Sequence, residues 1–308
     1  MGRNSKRRAG NRIRPIKIKI SLKGEQGKKL RIVLYAVAAV LALVLAANLF
    51  RPKVQLENTA EIIRIRDQGV LTVGVMDDMP GFSDNGEGLE IELARLFAEY
   101  LLPDTNPNAA VRFKTVTDKT AVTMLSDGSV DVVLALMKKG GSNRFSYSYT
   151  YYSDDCLVAL PKDSSEKPLN ETLIGYVQGS ASETTLNNYI SAHETKVEQS
   201  FIDKLLKRDK PLPDDAITFK TKAFASYPDM LLALENGRVE GAVLSGVYFN
   251  KYKAEYELIT HSTALGKIDY ALACASDSPA IAQLADMFIY DLRESGELDA
   301  LIKKYGIE

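Results

Sequence analysis

Arg144-Phe-Ser-Tyr-Ser-Tyr-Thr-Tyr-Tyr152 is the stretch that decides how this 308-residue chain folds. Aromatic residues recur there at every second position, the period of a strand with two unlike faces. A guanidinium at its head, Arg144, offers a planar fork of donors suited to a carboxylate. The pattern reads as a strand entering a hinge, with an anion-recognising residue at the hinge mouth. Tyr147 is the ring best placed to reach a ligand.

Outward from this run, strands and helices alternate. Upstream, Leu71-Thr-Val-Gly-Val75, Val111-Arg-Phe113 and Val130 to Leu136 read as buried strands separated by helices at Ile91 to Leu101 and Ala121 to Ser126. Downstream, Cys156-Leu-Val-Ala-Leu160 is a strand. A second series follows: strand Leu173 to Val177, helix Ser182 to Ile190, strand Ile217 to Phe219, helix Tyr227 to Glu235 and strand Gly241 to Leu244. Strand Tyr270 to Cys274 and helices Ala280 to Arg293 and Leu298 to Lys304 complete the chain. Each β-α-β-α-β series implies a parallel sheet covered by helices. The expected fold is α/β with two lobes, residues 61–155 plus 275–308 forming lobe one and 156–274 lobe two, joined by two hinge strands.

The first sixty residues belong elsewhere. Residues 1–31 carry twelve Lys or Arg against one acid, Glu25, for a net +11; the whole chain carries −1, so the remaining 277 residues carry −12. Between the two parts, Ile32 to Phe50 has no charge and one strongly polar residue, Asn48. Nineteen residues at about 1.5 Å each nearly cover a hydrocarbon core of roughly 30 Å. The basic tail stays cytoplasmic by the positive-inside rule, which places everything after Phe50 outside. A cleaved signal peptide is the competing reading, but its apolar core is usually shorter, about 7–15 residues. Leu45-Ala46-Ala47 is followed by Asn48, so a lipoprotein cysteine is missing. The organisation expected is a basic tail (1–31), a single transmembrane anchor (32–50), a linker (51–60) and the two lobes.

The order of motifs resembles the family 3 extracellular solute-binding proteins, of the type that serves polar amino-acid ABC transporters. The resemblance covers about residues 61–308. It is carried by Gly69-Val-Leu-Thr-Val-Gly74 with Pro80-Gly81-Phe82, by Gly88-Leu-Glu-Ile-Glu-Leu-Ala94, and by Leu125-Ser-Asp-Gly-Ser-Val-Asp131. Further landmarks are Arg144 with Tyr151-Tyr152, Val177-Gln-Gly-Ser180 with Glu183, Leu234 to Val243, and Gly296 to Gly306. It implies a periplasmic-binding-protein-like (type II) fold whose lobes close on a solute, a permease and an ATPase as partners, and a monomer with no cofactor, no metal and no nucleic-acid partner. Arg144 from one lobe and the helix N-terminus Gly179-Ser180-Ala181 from the other are expected to close on one carboxylate.

This sequence departs from the family at several ligand positions. Ser245 stands where an Asp pairs the ligand's ammonium, Met79 where an aromatic ring covers the ligand side chain, and Ala135 to Lys138 where small hydroxyl residues occur. Asp77, Asp78, Glu87 or Asp154 are alternative sources of the negative charge; a solute without an amine, assisted by Lys138 or Lys139, is the other reading. Cys156 and Cys274 are either a disulfide between hinge strands, which an exported location permits, or two small buried hydrophobes. His193 and His261 lack metal-ligand spacing. Gly266-Lys267 is followed by Ile268, not the Ser or Thr of a phosphate loop, and no serine sits in a nucleophile elbow. The chain is therefore expected not to be an enzyme. A ligand-sensing module, a scaffold that has lost its ligand and a dehydratase-like or cell-wall lytic relative on the same fold are the rivals, since fold alone does not fix function.

Overall fold

The computed structural model describes residues 56–106, 109–195, 213 and 215–307, together with Tyr35 and Val37. The expected basic tail lies outside the described residues, as does the expected anchor except for Tyr35 and Val37, which are helical and exposed. No helix among the described residues is long and apolar enough to cross a membrane.

Lobe one opens with α1 (Ala60–Gln68), β1 (Leu71–Val75), a small hairpin of β2 (Asp78–Met79) and β3 (Ser83–Asp84), α2 (Leu89–Leu101), β4 (Val111–Thr115), α3 (Asp118–Ser126) and β5 (Val132–Leu134). The long β6 (Phe145–Pro161) leads to lobe two: β7 (Leu173–Val177), α4 (Ala181–His193), β8 (Lys220–Phe224), α5 (Tyr227–Glu235), β9 (Gly241–Ser245), α6 (Gly246–Tyr252) and β10 (Leu258–Thr260). Then β11 (Gly266–Ala275) returns, and α7 (Pro279–Glu294) and α8 (Glu297–Lys304) finish lobe one.

One sheet runs through both lobes in the order β4-β1-β5-β11-β6-β9-β7-β8. Its ends are parallel and repeat one pattern: the first strand of each half is central, the second lies at the outer edge and the third lies inward. Its middle is antiparallel, β11 pairing with β5 and β6, and β6 with β9. Central strands covered on both faces are near-continuous apolar runs, and every residue of β1 and β9 is buried, Thr72 and Ser245 included.

The tyrosine run and the strand expected at Cys156 to Leu160 are one element and not two. The run is the first half of β6, which is continuous over 17 residues. Along it Tyr151 is 1% exposed and Tyr149 49%, so the alternation does distinguish two faces. The β6–β11 ladder slips between Tyr270 and Ala271 and again between Ala271 and Ala273, and such bulges bend a sheet. The buried Ser148 hydroxyl accepts the Leu272 N–H there (3.1 Å).

The same ladder excludes a Cys156–Cys274 bridge. Cys156 faces Gly266, and Cys274 faces Ser146. Ten residues of strand, roughly 30 Å at about 3.3 Å each, separate positions that a disulfide needs within about 7 Å. Both thiols are free and buried.

One further expectation shifts, and one helix is added. The strand expected at Ile217 to Phe219 forms instead at Lys220–Phe224, an edge strand with four exposed residues. The helix α6, directly after β9, carries no sequence expectation at all. Its N-terminus requires Gly246, because a Cβ there would stand 2.4 Å from Asp154 Oδ1. Similarly Gly88, at φ 125°, lets the chain turn into α2 where a Cβ would meet the Phe82 carbonyl oxygen at 2.3 Å.

Candidate functional site

In a sheet of parallel halves, ligands sit outside the carboxyl ends of the strands. Here the ends of β1 and β4 in lobe one face the ends of β7, β8 and β9 in lobe two. Between them lies a cleft of about 350 Å³. Lobe one contributes Met76, Asp78, Val116, Thr117 and Lys119; lobe two contributes Val177 to Gly179, Ala225 to Pro228, Tyr248, Lys251 and Tyr252. The volume lies at the small end of ordinary ligand pockets, about 300–1,000 Å³.

The walls of this first cleft are largely aromatic. Tyr227 and Tyr248 stack with centroids 3.9 Å apart, and Tyr252 lies 6.4 Å from Tyr227. Helix α5 places Tyr227 at its start, behind an N-cap in which Ser226 Oγ accepts the Asp229 N–H (3.3 Å). Helix α6 places the other two. Contacts cross this cleft from lobe to lobe: Lys251 Nζ to Asp78 Oδ2 at 2.6 Å, Lys251 Nζ to Met79 Sδ at 3.7 Å, and Tyr248 O–H to Met76 Sδ at 3.7 Å. On the lobe-one side the cleft meets the start of α3, where Thr117 and Thr120 form a reciprocal capping box.

A second interlobe cleft of about 120 Å³ adjoins the first at Gly179. Leu136 to Lys138, Gly141, Ser142, Phe145 and Tyr147 face Gly179 to Ala181 and Thr184 across it. Leu136 takes a left-handed conformation, φ 51°, held by the buried Glu90 carboxylate, which accepts its N–H at 2.7 Å. Glu90 also accepts from Ser83 Oγ (3.2 Å) and from the Tyr151 hydroxyl. Burial raises the Glu90 carboxyl above its ordinary range against these three hydrogen bonds. Burial likewise lowers the Lys138 ammonium. The Tyr147 hydroxyl accepts the Ser142 N–H (2.9 Å).

Of the ten residues expected at the site, the fold gathers Lys138, Tyr147, Gly179, Ser180 and Ala181 around this second cleft. The other five line neither cleft. Arg144 and Asp77 are exposed; Met79, Ala135 and Ser245 are buried. Nor is every helix-start amide of α4 open to a ligand, because Glu183 Oε2 accepts the Gly179 N–H at 2.6 Å while Ser180 Oγ accepts the Glu183 N–H at 3.2 Å.

Ser245 caps α6, and beside it stands a carboxylate. Asp154 Oδ2 accepts the Val247 N–H (2.9 Å) and Oδ1 the Asp155 N–H (2.8 Å), with the Ser245 hydroxyl also bonded to it. Burial raises its pKa nonetheless. A carboxyl group thus stands beside Ser245, committed to holding the start of α6.

Sequence reasoning did not single out Tyr227, Tyr248, Lys251 or Tyr252. A usable signal existed in Ser226-Tyr-Pro-Asp229, an N-cap with Pro in the first turn directly after a strand. A third groove, of about 460 Å³, lies between Pro80 to Phe82, Tyr152, α6 and Tyr305 to Ile307. It shares Lys251 with the first cleft but not the parallel strand ends. Among the described residues no cluster of His, Cys, Asp and Glu is arranged to hold a metal ion.

The family model for bacterial extracellular solute-binding proteins, family 3, matches residues 71–308. The glutamine-binding protein of Geobacillus stearothermophilus is 30% identical over 115 residues, which are 35% of this chain and 42% of that protein. The match therefore spans under half the length of that relative. Among solved structures, an ArgBP variant from T. maritima superposes with a TM-score of 0.57 at 21% identity, covering 80% of this chain and 100% of that chain. The solute receptor for L-cysteine of Neisseria gonorrhoeae gives 0.60 at 19%, covering 79% and 92%. The ancestral amino acid-binding protein AncCDT-1, a precursor of cyclohexadienyl dehydratase, gives 0.59 at 18%, covering 80% and 99%. At these identities the likeness is one of fold, and the fold is a two-lobed α/β binding protein.

Proposed function

Because this chain belongs to the bacterial extracellular solute-binding proteins, family 3, we propose that it is the membrane-tethered solute receptor of an ABC transporter, capturing an amino acid or a related small carboxylate. The observation that carries this reading is the 350 Å³ cleft walled by both lobes and spanned by Lys251–Asp78 and Tyr248–Met76. A solute there touches two bodies at once, so its binding energy depends on their separation and shifts the open–closed equilibrium. A permease reads that closure. Residues 32–50 anchor the receptor, the acidic lobes lie outside the cytoplasm, and tethering raises the receptor's effective concentration at its transporter.

Binding fits the site better than catalysis does. The first cleft holds a single carboxylate, Asp78, paired with Lys251, whereas acid–base chemistry between carboxyl groups needs two in unlike surroundings. One observation favours a second reading, a scaffold that no longer binds an amino acid: the Gly179 amide is taken by Glu183. Thermal unfolding of the full-length chain in detergent, against L-amino acids, dicarboxylates, short peptides and polyamines, separates the two. A true solute at 100 times its Kd adds about 2.7 kcal/mol of stability. A flat response to the whole panel would favour the scaffold.

A further inference from the structure

We propose that Asp78 and Lys251 are the two polar anchors of a zwitterionic solute, Asp78 taking its ammonium and Lys251 its carboxylate. This rests on the receptor reading above and assigns recognition to residues at the first cleft. The pair is the one place in that cleft where opposite charges from different lobes meet, at 2.6 Å. The hinge-side alternatives are otherwise committed: Arg144 is exposed and lines neither cleft, the Gly179 N–H is held by Glu183, and the Asp154 carboxylate is bound to the start of α6.

Exchange of this contact for two contacts to a solute is chemically easy. The Asp78 side chain is 73% exposed and that of Lys251 16%, so water and salt screen the pair from the Asp78 side and weaken it. Lys251 has a flexible four-carbon stem and three donors. Its ammonium lies near Met79 Sδ at 3.7 Å and 5.3 Å from the Tyr252 ring centroid, so a small rotation carries it from Asp78 to a carboxylate in the cleft. The solute's side chain then meets the Tyr227 and Tyr248 rings, which suits an apolar or aromatic group. Lys119 also lines the cleft, which therefore carries two ammonium groups against one carboxylate.

The test uses the full-length chain in detergent and calorimetric titration with the twenty L-amino acids. For whichever amino acid binds best, its des-amino carboxylate and its decarboxylated amine are titrated as well. Asp78→Asn is expected to weaken the amino acid about 10- to 100-fold while leaving the des-amino carboxylate unchanged. Lys251→Met should weaken the amino acid similarly and leave the amine unchanged. A pair that merely closed the lobes would, when broken, shift all three probes together, and that result overturns the assignment. Equal affinity of both variants and wild type overturns it too. If no amino acid binds but a dicarboxylate titrated alongside does, the anchors are wrong and the receptor reading stands; if none of these binds, both fall.

Discussion

Glu90 shows how much of this molecule turns on single buried groups. It is fully buried, yet three donors from three elements converge on it: Ser83 from the hairpin, Leu136 beyond β5 and Tyr151 of β6. It therefore fixes the cleft-lining turn at Leu136 to the hinge strand. Burial raises its pKa, and the sign of the consequence follows from linkage. From about pH 4.3 up to the raised value the folded chain keeps a proton that the unfolded chain has lost, so the group's contribution is full below that window and is lost as pH rises through it. In Glu90→Gln, Oε1 accepts from Leu136 and Tyr151 while the amide donates to Ser83 Oγ. We expect Glu90→Gln to match or exceed wild-type stability at pH 7.5 and to lack this pH slope. Glu90→Ala, which orphans buried donors, should cost about 2–4 kcal/mol. Urea unfolding from pH 5 to 8 measures both, and an alanine variant as stable as wild type would refute the role. Gly88-Leu-Glu90 was legible as a motif, but the convergence on it was not, because the partners stand 7, 46 and 61 residues away.

At the scale of elements, legibility followed burial. β1 and α5 form over the expected residues, Leu71 to Val75 and Tyr227 to Glu235, since a closed core stamps its period on the sequence. β8 did not, because an edge strand reading Lys-Thr-Lys-Ala-Phe needs no apolar face, and the apolar Ile217 and Phe219 beside it suggested the wrong start. The seven-residue α6 is hidden for a different reason: its capping serine, Ser245, stands at an expected ligand position. The β6–β11 register yields a prediction of its own. With Cys156 and Cys274 at opposite ends of the ladder, and burial raising both thiols to about 12, thiolate is scarce at neutral pH. We expect neither cysteine to react with a maleimide at pH 7.5 in the folded chain, both to react after unfolding in urea without reductant, and the Tm to be indifferent to dithiothreitol. A thiol count of zero in urea would mean a disulfide and a different strand register.

For the whole molecule, the family resemblance was written in the order of the motifs, whereas the cleft was not, because its cross-lobe contacts join residues as distant as Asp78 and Lys251, 173 positions apart. What couples the lobes is the sheet. Each lobe has its own parallel half, but β6 and β11 belong to both: the Tyr151 hydroxyl donates to Glu90 of lobe one, while Val158 and Ala159 of the same strand pair with β9 of lobe two. Loss of either half strips β6 of one set of partners and leaves its backbone groups unpaired. Two lobes that merely touched would unfold separately; lobes sharing two strands should unfold together. The chain has no tryptophan, so one reporter can be placed in each half: Phe113→Trp on β4 and, in a separate variant, Tyr176→Trp on β7, both at half-buried positions. We expect both to report the same urea midpoint as circular dichroism, and a bound solute to raise the two midpoints equally, because a ligand held by both lobes is released only when the shared state is lost. Separated midpoints, or a solute that protects one lobe alone, would place the coupling in the cleft contacts and not in the sheet.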